Sequence, residues 1–233
     1  MYAPERRMNM KKITAILLAV SVLASTCAYA EMFYDTKGHW AEYEIDELAG
    51  KNIVNGISDG YFAPDSVVTR AQYLKMIMGV TGIAPVECGA DGCLDVSDAE
   101  WYSAYLNGAM KKGLIPKEMI SGYDSSVVDG TVKYTGAFNG DAPITREEMA
   151  FITMSMYQYT LNANTMKNFE TEQIIEFEDS EAITPWAVTG VNLAAANGII
   201  VGNSGRFDPL GNTTRAQAAA VILRVMNKLQ AEG

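Results

Sequence analysis

Three short stretches decide the fold: Thr69-Arg70-Ala71-Gln72, Thr145-Arg146-Glu147-Glu148 and Thr214-Arg215-Ala216-Gln217. Each sets Thr three residues before Gln or Glu, the pattern of a capping box. There the hydroxyl accepts from an orphan amide of the first helical turn and the longer side chain reaches back to the cap amide. Working outward, a Phe stands eight residues before each Arg, at Phe62, Phe138 and Phe207. Aliphatic pairs come earlier, at Ile53-Val54, Leu114-Ile115 and Ile199-Ile200. Each pair follows a helix-stopping residue, Asn52, Gly113 or Gly198, that lies twelve positions after Trp40, Trp101 or Trp186. An aspartate precedes each Trp, at Asp35, Asp95 and Asp179. So many equal spacings mark three copies of one unit.

Each copy reads as helix, loop, helix. The first helix starts near the Trp and stops at Asn or Gly, which tolerate a left-handed backbone. In the third copy Thr184-Pro185 marks its start, a cap residue followed by Pro at the first helical position. The second helix starts at the capping box. It carries apolar positions at helical spacing: Tyr73, Met76, Ile77 and Val80; Met149, Ile152 and Met156; Ala218, Val221, Ile222 and Val225. No such helix can bury its apolar face alone. The expected fold is therefore mainly α, with three tandem helix-loop-helix units sharing one core around a central helical bundle. The middle copy differs. Gly113 and Phe138 are 25 residues apart there, and the extra stretch, about 117–137, reads as an inserted loop or small hairpin. The boundaries expected are 31–82, 83–160 and 161–233, and no separate cargo domain is expected beyond the third copy.

Residues 1–30 read as a secretory signal peptide. Arg6, Arg7, Lys11 and Lys12 precede the apolar stretch Ile13–Leu23, and Ala28-Tyr29-Ala30 has the small-x-small pattern of a cleavage site. Lipidation at Cys27 is the alternative, against which Ala24-Ser25-Thr26 is a poor approach. Removing the leader takes away four basic residues and one acidic one. That leaves 14 basic against 27 acidic residues, a net charge of −13. Such a surface repels nucleic acid and anionic membrane, so neither is an expected partner. Cys88 and Cys93 flank a small Gly-rich loop, for which a disulfide is the default outside the cell. Free thiols or a metal are the alternatives.

At these residues the sequence resembles the S-layer homology domain family. The motifs are Phe33-Tyr34-Asp35 and Phe177-Glu178-Asp179, His39-Trp40-Ala41, Asn55-Gly56-Ile57, the Gly-x-Phe-x-Pro runs at Gly60–Pro64 and Gly205–Pro209, and the three Thr-Arg boxes. The middle copy departs most, with Leu94-Asp95, the insertion and no Asn-Gly-Ile match. A groove that uses its middle is the one expected to have lost its ligand. The resemblance implies one pseudo-threefold unit, at the cell wall or surface layer, that binds anionic secondary wall polysaccharide in grooves between copies. Pyruvylated sugar is the expected ligand and wall peptidoglycan the alternative. It implies that Arg70, Arg146 and Arg215 pair with the ligand's carboxylate. Trp40, Trp101, Trp186, Asp35, Asp95, Asp179, the cap residues Thr69, Thr145 and Thr214, and the loop glycines Gly56 and Gly202 are the other candidate contacts.

Read without the resemblance, the same residues leave two possibilities. An arginine at the first helical position adds a planar fork to a helix end whose amides lack partners, which makes an anion site. Alternatively each arginine pairs internally with Asp35, Asp95 or Asp179. On the first reading, Ala at position 70 or 215 weakens wall binding and leaves the melting midpoint nearly unchanged. The tryptophans are either core or sugar-stacking faces. The aspartates are either caps and turn formers or contacts, and His39 is a helix-start or packing residue. No Ser/His/Asp set, Cys/His pair, zinc spacing or Gly-rich phosphate loop occurs. The expectation is no enzyme, no catalytic residue, no metal and no cofactor. A surface-assembly protein acting through protein contacts is the competing function.

Overall fold

A computed structural model of the chain describes residues 33–87, 100–128, 131–161 and 175–232. The expected leader at residues 1–30, and Cys88, Cys93 and Asp95, lie outside the described residues. Six α-helices and one hairpin make up the described fold: α1 Glu42–Gly50, α2 Arg70–Thr81, α3 Ser103–Lys111, β1 Ser121–Val128, β2 Thr131–Ala137, α4 Arg146–Thr160, α5 Val188–Ala196 and α6 Arg215–Glu232. Short 3-10 turns cover Lys117–Met119 and Ser180–Ala182.

The local signals act as the chemistry demands. Thr69 and Thr145 form complete capping boxes with Gln72 and Glu148. At α6 the Gln217 amide donates to the Thr214 hydroxyl and the Gln217 side chain accepts from the Thr214 amide. Behind α1, α3 and α5 the chain turns left-handed at Asn52, Gly113 and Gly198. The inserted stretch is a hairpin, with β1 and β2 antiparallel from Ser121 opposite Ala137 to Val128 opposite Thr131. One start signal is misread. Ala187, not Thr184, precedes the first turn of α5, and no side chain caps it. The Thr184 hydroxyl and amide instead donate to the Glu147 carboxylate, both at 2.9 Å.

The core is shared rather than built within each copy. Phe62, Phe138 and Phe207 are fully buried, as are Tyr73, Ile77, Met149, Ile152, Ala218 and Ile222. The long helices α2, α4 and α6 touch one another pairwise. Each first helix packs chiefly on a long helix from a different copy: α3 on α2, α5 on α4, and α1 on α6. The last contact joins the two ends of the described fold. Backbone hydrogen bonds close the same circuit at the helix entrances. The Val68 amide donates to the Thr213 carbonyl, Thr213 to Ile144, and Ile144 back to Val68, at 2.9, 3.1 and 3.1 Å. These bonds satisfy polar groups that would be costly to bury unpaired.

Candidate functional site

The helix starts are not open anion sites. The first-turn amides of Arg70, Arg146 and Arg215 donate to the carbonyls of Ala142, Gly211 and Ser66 at 2.8–3.0 Å. The next amides, of Ala71, Glu147 and Ala216, donate to Gly140, Pro209 and Pro64. The third are taken by the cap threonines. Thr69, Thr145 and Thr214 are thus already in use as acceptors, and what remains for an anion at each entrance is the guanidinium.

The three guanidiniums tie one copy to the next. The Arg215 Nε donates to the Phe62 carbonyl and Nη2 to Asn55, both at 2.8 Å. Arg146 reaches Phe207 at 2.7 Å and Val201 at 3.2 Å in the same way. Arg70 donates to the Phe138 carbonyl but holds Glu148 with its Nε and Nη2. The expected internal partners, Asp35 and Asp179, pair with none of the three arginines. Among the described residues Arg146 and Arg215 form no ion pair. Each guanidinium instead lies over a phenylalanine ring, 5.1 Å from Phe207 and 4.3 Å from Phe62. Burial pulls both guanidinium pKa values down, and nearby aspartates partly oppose it. Both groups stay charged at neutral pH.

The aspartates brace turns. Asp35 accepts from the Phe62 and Ala63 amides at 2.9 and 2.6 Å, and Asp179 accepts from Phe207 and Asp208 at 2.8 Å each. Ala63 and Asp208 sit at φ 59°, a left-handed backbone that these charge-assisted bonds hold in place. Gly56 and Gly202 serve the same loops. A Cβ on Gly56 would lie 2.6 Å from the Tyr61 carbonyl and 2.8 Å from the Phe33 ring; on Gly202 it would meet the Arg206 carbonyl and the Phe177 ring at 2.6 and 2.7 Å. His39 accepts from the Ala41 amide and lies 3.3 Å from Asp65, as a helix-start residue does.

Two grooves bring the remaining candidates together. One, of about 710 Å³, runs between Trp40, Arg146, the Ile200–Asp208 loop and a face of α6. It holds three guanidiniums, of Arg146, Arg206 and Arg224, against one carboxylate, of Asp208. The second, of about 120 Å³, is built from Trp101, Arg215, the Ile53–Asn55 loop and a face of α2 with Gln72 and Lys75. Trp40 and Trp101 are 60% and 50% exposed, so their indoles are walls and not core. Trp186 is half-buried and packs edge-on against Phe151, with ring centres 5.4 Å apart. The sequence reading missed Lys75, Arg206, Arg224 and the glutamines. Helical spacing held part of the signal: Gln217, Ala220, Val221 and Arg224 recur at 0, 3, 4 and 7 on one face of α6. Among the described residues no group of three or more His, Cys, Asp or Glu could hold a metal, and no helix is long and apolar enough to cross a membrane.

Comparison with known proteins identifies a family. The S-layer homology domain model matches residues 33–74 and 176–219, and residues 75–175 fall outside both matches. The chain is 34% identical over 203 residues to an amylopullulanase of Thermoanaerobacterium thermosulfurigenes, covering 86% of this chain and 10% of that protein. An exoglucanase XynX of Acetivibrio thermocellus is 33% identical over 199 residues, covering 84% and 16%. The S-layer protein sap of Bacillus anthracis is 25% identical over 214 residues, covering 91% and 23%. The chain belongs to the S-layer homology domain family. It spans between a tenth and a quarter of the length of these relatives.

Proposed function

We propose that this chain anchors non-covalently at the bacterial cell surface by holding an anionic wall glycopolymer in the grooves between its copies, and that it does no chemistry on that polymer. One observation carries the reading: two grooves each set an exposed indole near a guanidinium that has no carboxylate partner among the described residues. On a chain with an excess of acidic residues, such places offer a stacking face for a sugar ring and a fork for a carboxylate. A pyruvylated sugar presents both. The circuit of hydrogen bonds through Val68, Ile144 and Thr213 supports a pseudo-threefold arrangement in which the middle segment is a diverged third copy. Being in S-layer proteins and in an amylopullulanase and an exoglucanase alike fits an anchor better than a catalyst, because the shared stretch is a small share of each. Linked weak sites gain strength by proximity.

The test is sedimentation with purified wall sacculi, polymer retained or chemically stripped. The protein should pellet only with polymer-bearing walls, and less as salt rises. Trp40→Ala and Trp101→Ala should each weaken pelleting severalfold. Both rings are exposed, so melting should change by less than about 0.5 kcal/mol. Pelleting that ignores stripping would favour protein contacts or peptidoglycan as the partner.

A further inference from the structure

We infer that Glu148 is an internal ligand for Arg70 and closes the third Trp-Arg groove, which leaves a protein with two working sites. The inference rests on the anchoring function proposed above. In each open groove the guanidinium shares its walls with the third residue of a neighbouring long helix: Gln217 with Arg146, and Gln72 with Arg215. The corresponding residue beside Arg70 is Glu148, and this change of one atom is decisive. A glutamine caps the helix through its oxygen and turns an uncharged amide to the groove. Glu148 caps α4 with the same carboxylate that takes both Nε and Nη2 of Arg70. The Glu148 side chain is only 8% exposed and that of Arg70 17%. A bidentate carboxylate fills the fork that a ligand carboxylate would need.

A second difference sits one turn along α4. Where the open grooves have Lys75 or Ala220, this helix has Phe151, and its ring packs edge-on against Trp186. The charge is thereby neutralised and the indole packed against a second ring by residues three apart on one helix.

Two measurements on the whole chain test this. The first is arginine labelling by phenylglyoxal with peptide mass mapping. In the wild type Arg70 should label several times more slowly than Arg146, and in Glu148→Gln it should approach the Arg146 rate. Glutamine serves the same cap at 72 and 217, so the variant keeps its helix start. The second is native mass spectrometry with trigalacturonate as a carboxylated-sugar probe. The wild type should take at most two molecules, Arg70→Ala should leave that number unchanged, and Glu148→Gln with Phe151→Lys should raise it to three. Rapid labelling of Arg70 in the wild type, a third probe bound with Glu148 in place, or loss of a bound probe in Arg70→Ala would each overturn the inference. If no probe binds at all, the anchoring reading fails while the labelling still decides the role of Glu148.

Discussion

Arg215 shows how a residue can be placed for one task and held by another. Its first-helical-position setting points to a ligand, yet it is 7% exposed and makes two short bonds to loop carbonyls. Those bonds argue against the expectation that alanine there leaves melting unchanged. Arg215→Ala strands the Phe62 and Asn55 carbonyls and should cost about 2–3 kcal/mol, read by chemical denaturation. Asp179 makes a pH-dependent counterpart. Burial opposes its ionisation, but the Phe207 and Asp208 amides, with Arg206 nearby, outweigh that and hold its carboxyl below the usual range. Its contribution is present above the unfolded value of about 3.9 and is lost as pH falls through the lower folded value. Asp179→Asn should melt below the wild type near neutral pH, by roughly 2 kcal/mol for the two amide bonds it weakens. The gap should shrink as pH drops below about 4. A gap that stays constant across that range would show that the carboxylate's charge is not what matters.

At the scale of elements, what is local was legible. A capping box is a contract among four consecutive residues, so all three starts of the long helices could be read from Thr and Gln or Glu alone. The stops at Asn52, Gly113 and Gly198 follow from the rarity of left-handed backbone in other residues. The inserted hairpin was readable from Ser, Gly and Val content, although a loop remained open. The start of α5 was misread because Thr184 has a better partner elsewhere: Glu147, on a different copy, accepts from both its amide and its hydroxyl. Local chemistry could not reveal that competitor. The free amides expected at the helix starts vanish for the same reason, since carbonyls from other copies occupy them.

At the scale of the molecule, helices far apart in sequence pack on one another. Residues 33–82 contain α1 and α2, but α1 packs chiefly on α6, and Arg215 secures the loop between them. That fragment should be unfolded by circular dichroism in isolation, whereas residues 33–233 should melt in one transition. A folded, helical 33–82 fragment would mean that each copy stands by itself. The same packing explains why each groove draws its indole, its guanidinium and its helix face from three segments far apart in sequence.

By itself the sequence determined the family, the starts of the three long helices, the stops of the three first helices and most residues that face the core, because each depends on side chains within a turn or two of one another. The tertiary structure decided which of the candidate contacts stay open to solvent. Asp35, Asp179 and the cap threonines have partners inside the fold, and the three arginines, alike in sequence setting, meet different neighbours: carbonyls alone at Arg146 and Arg215, a carboxylate at Arg70. A groove is a meeting of distant segments, and its charge is the balance of all of them.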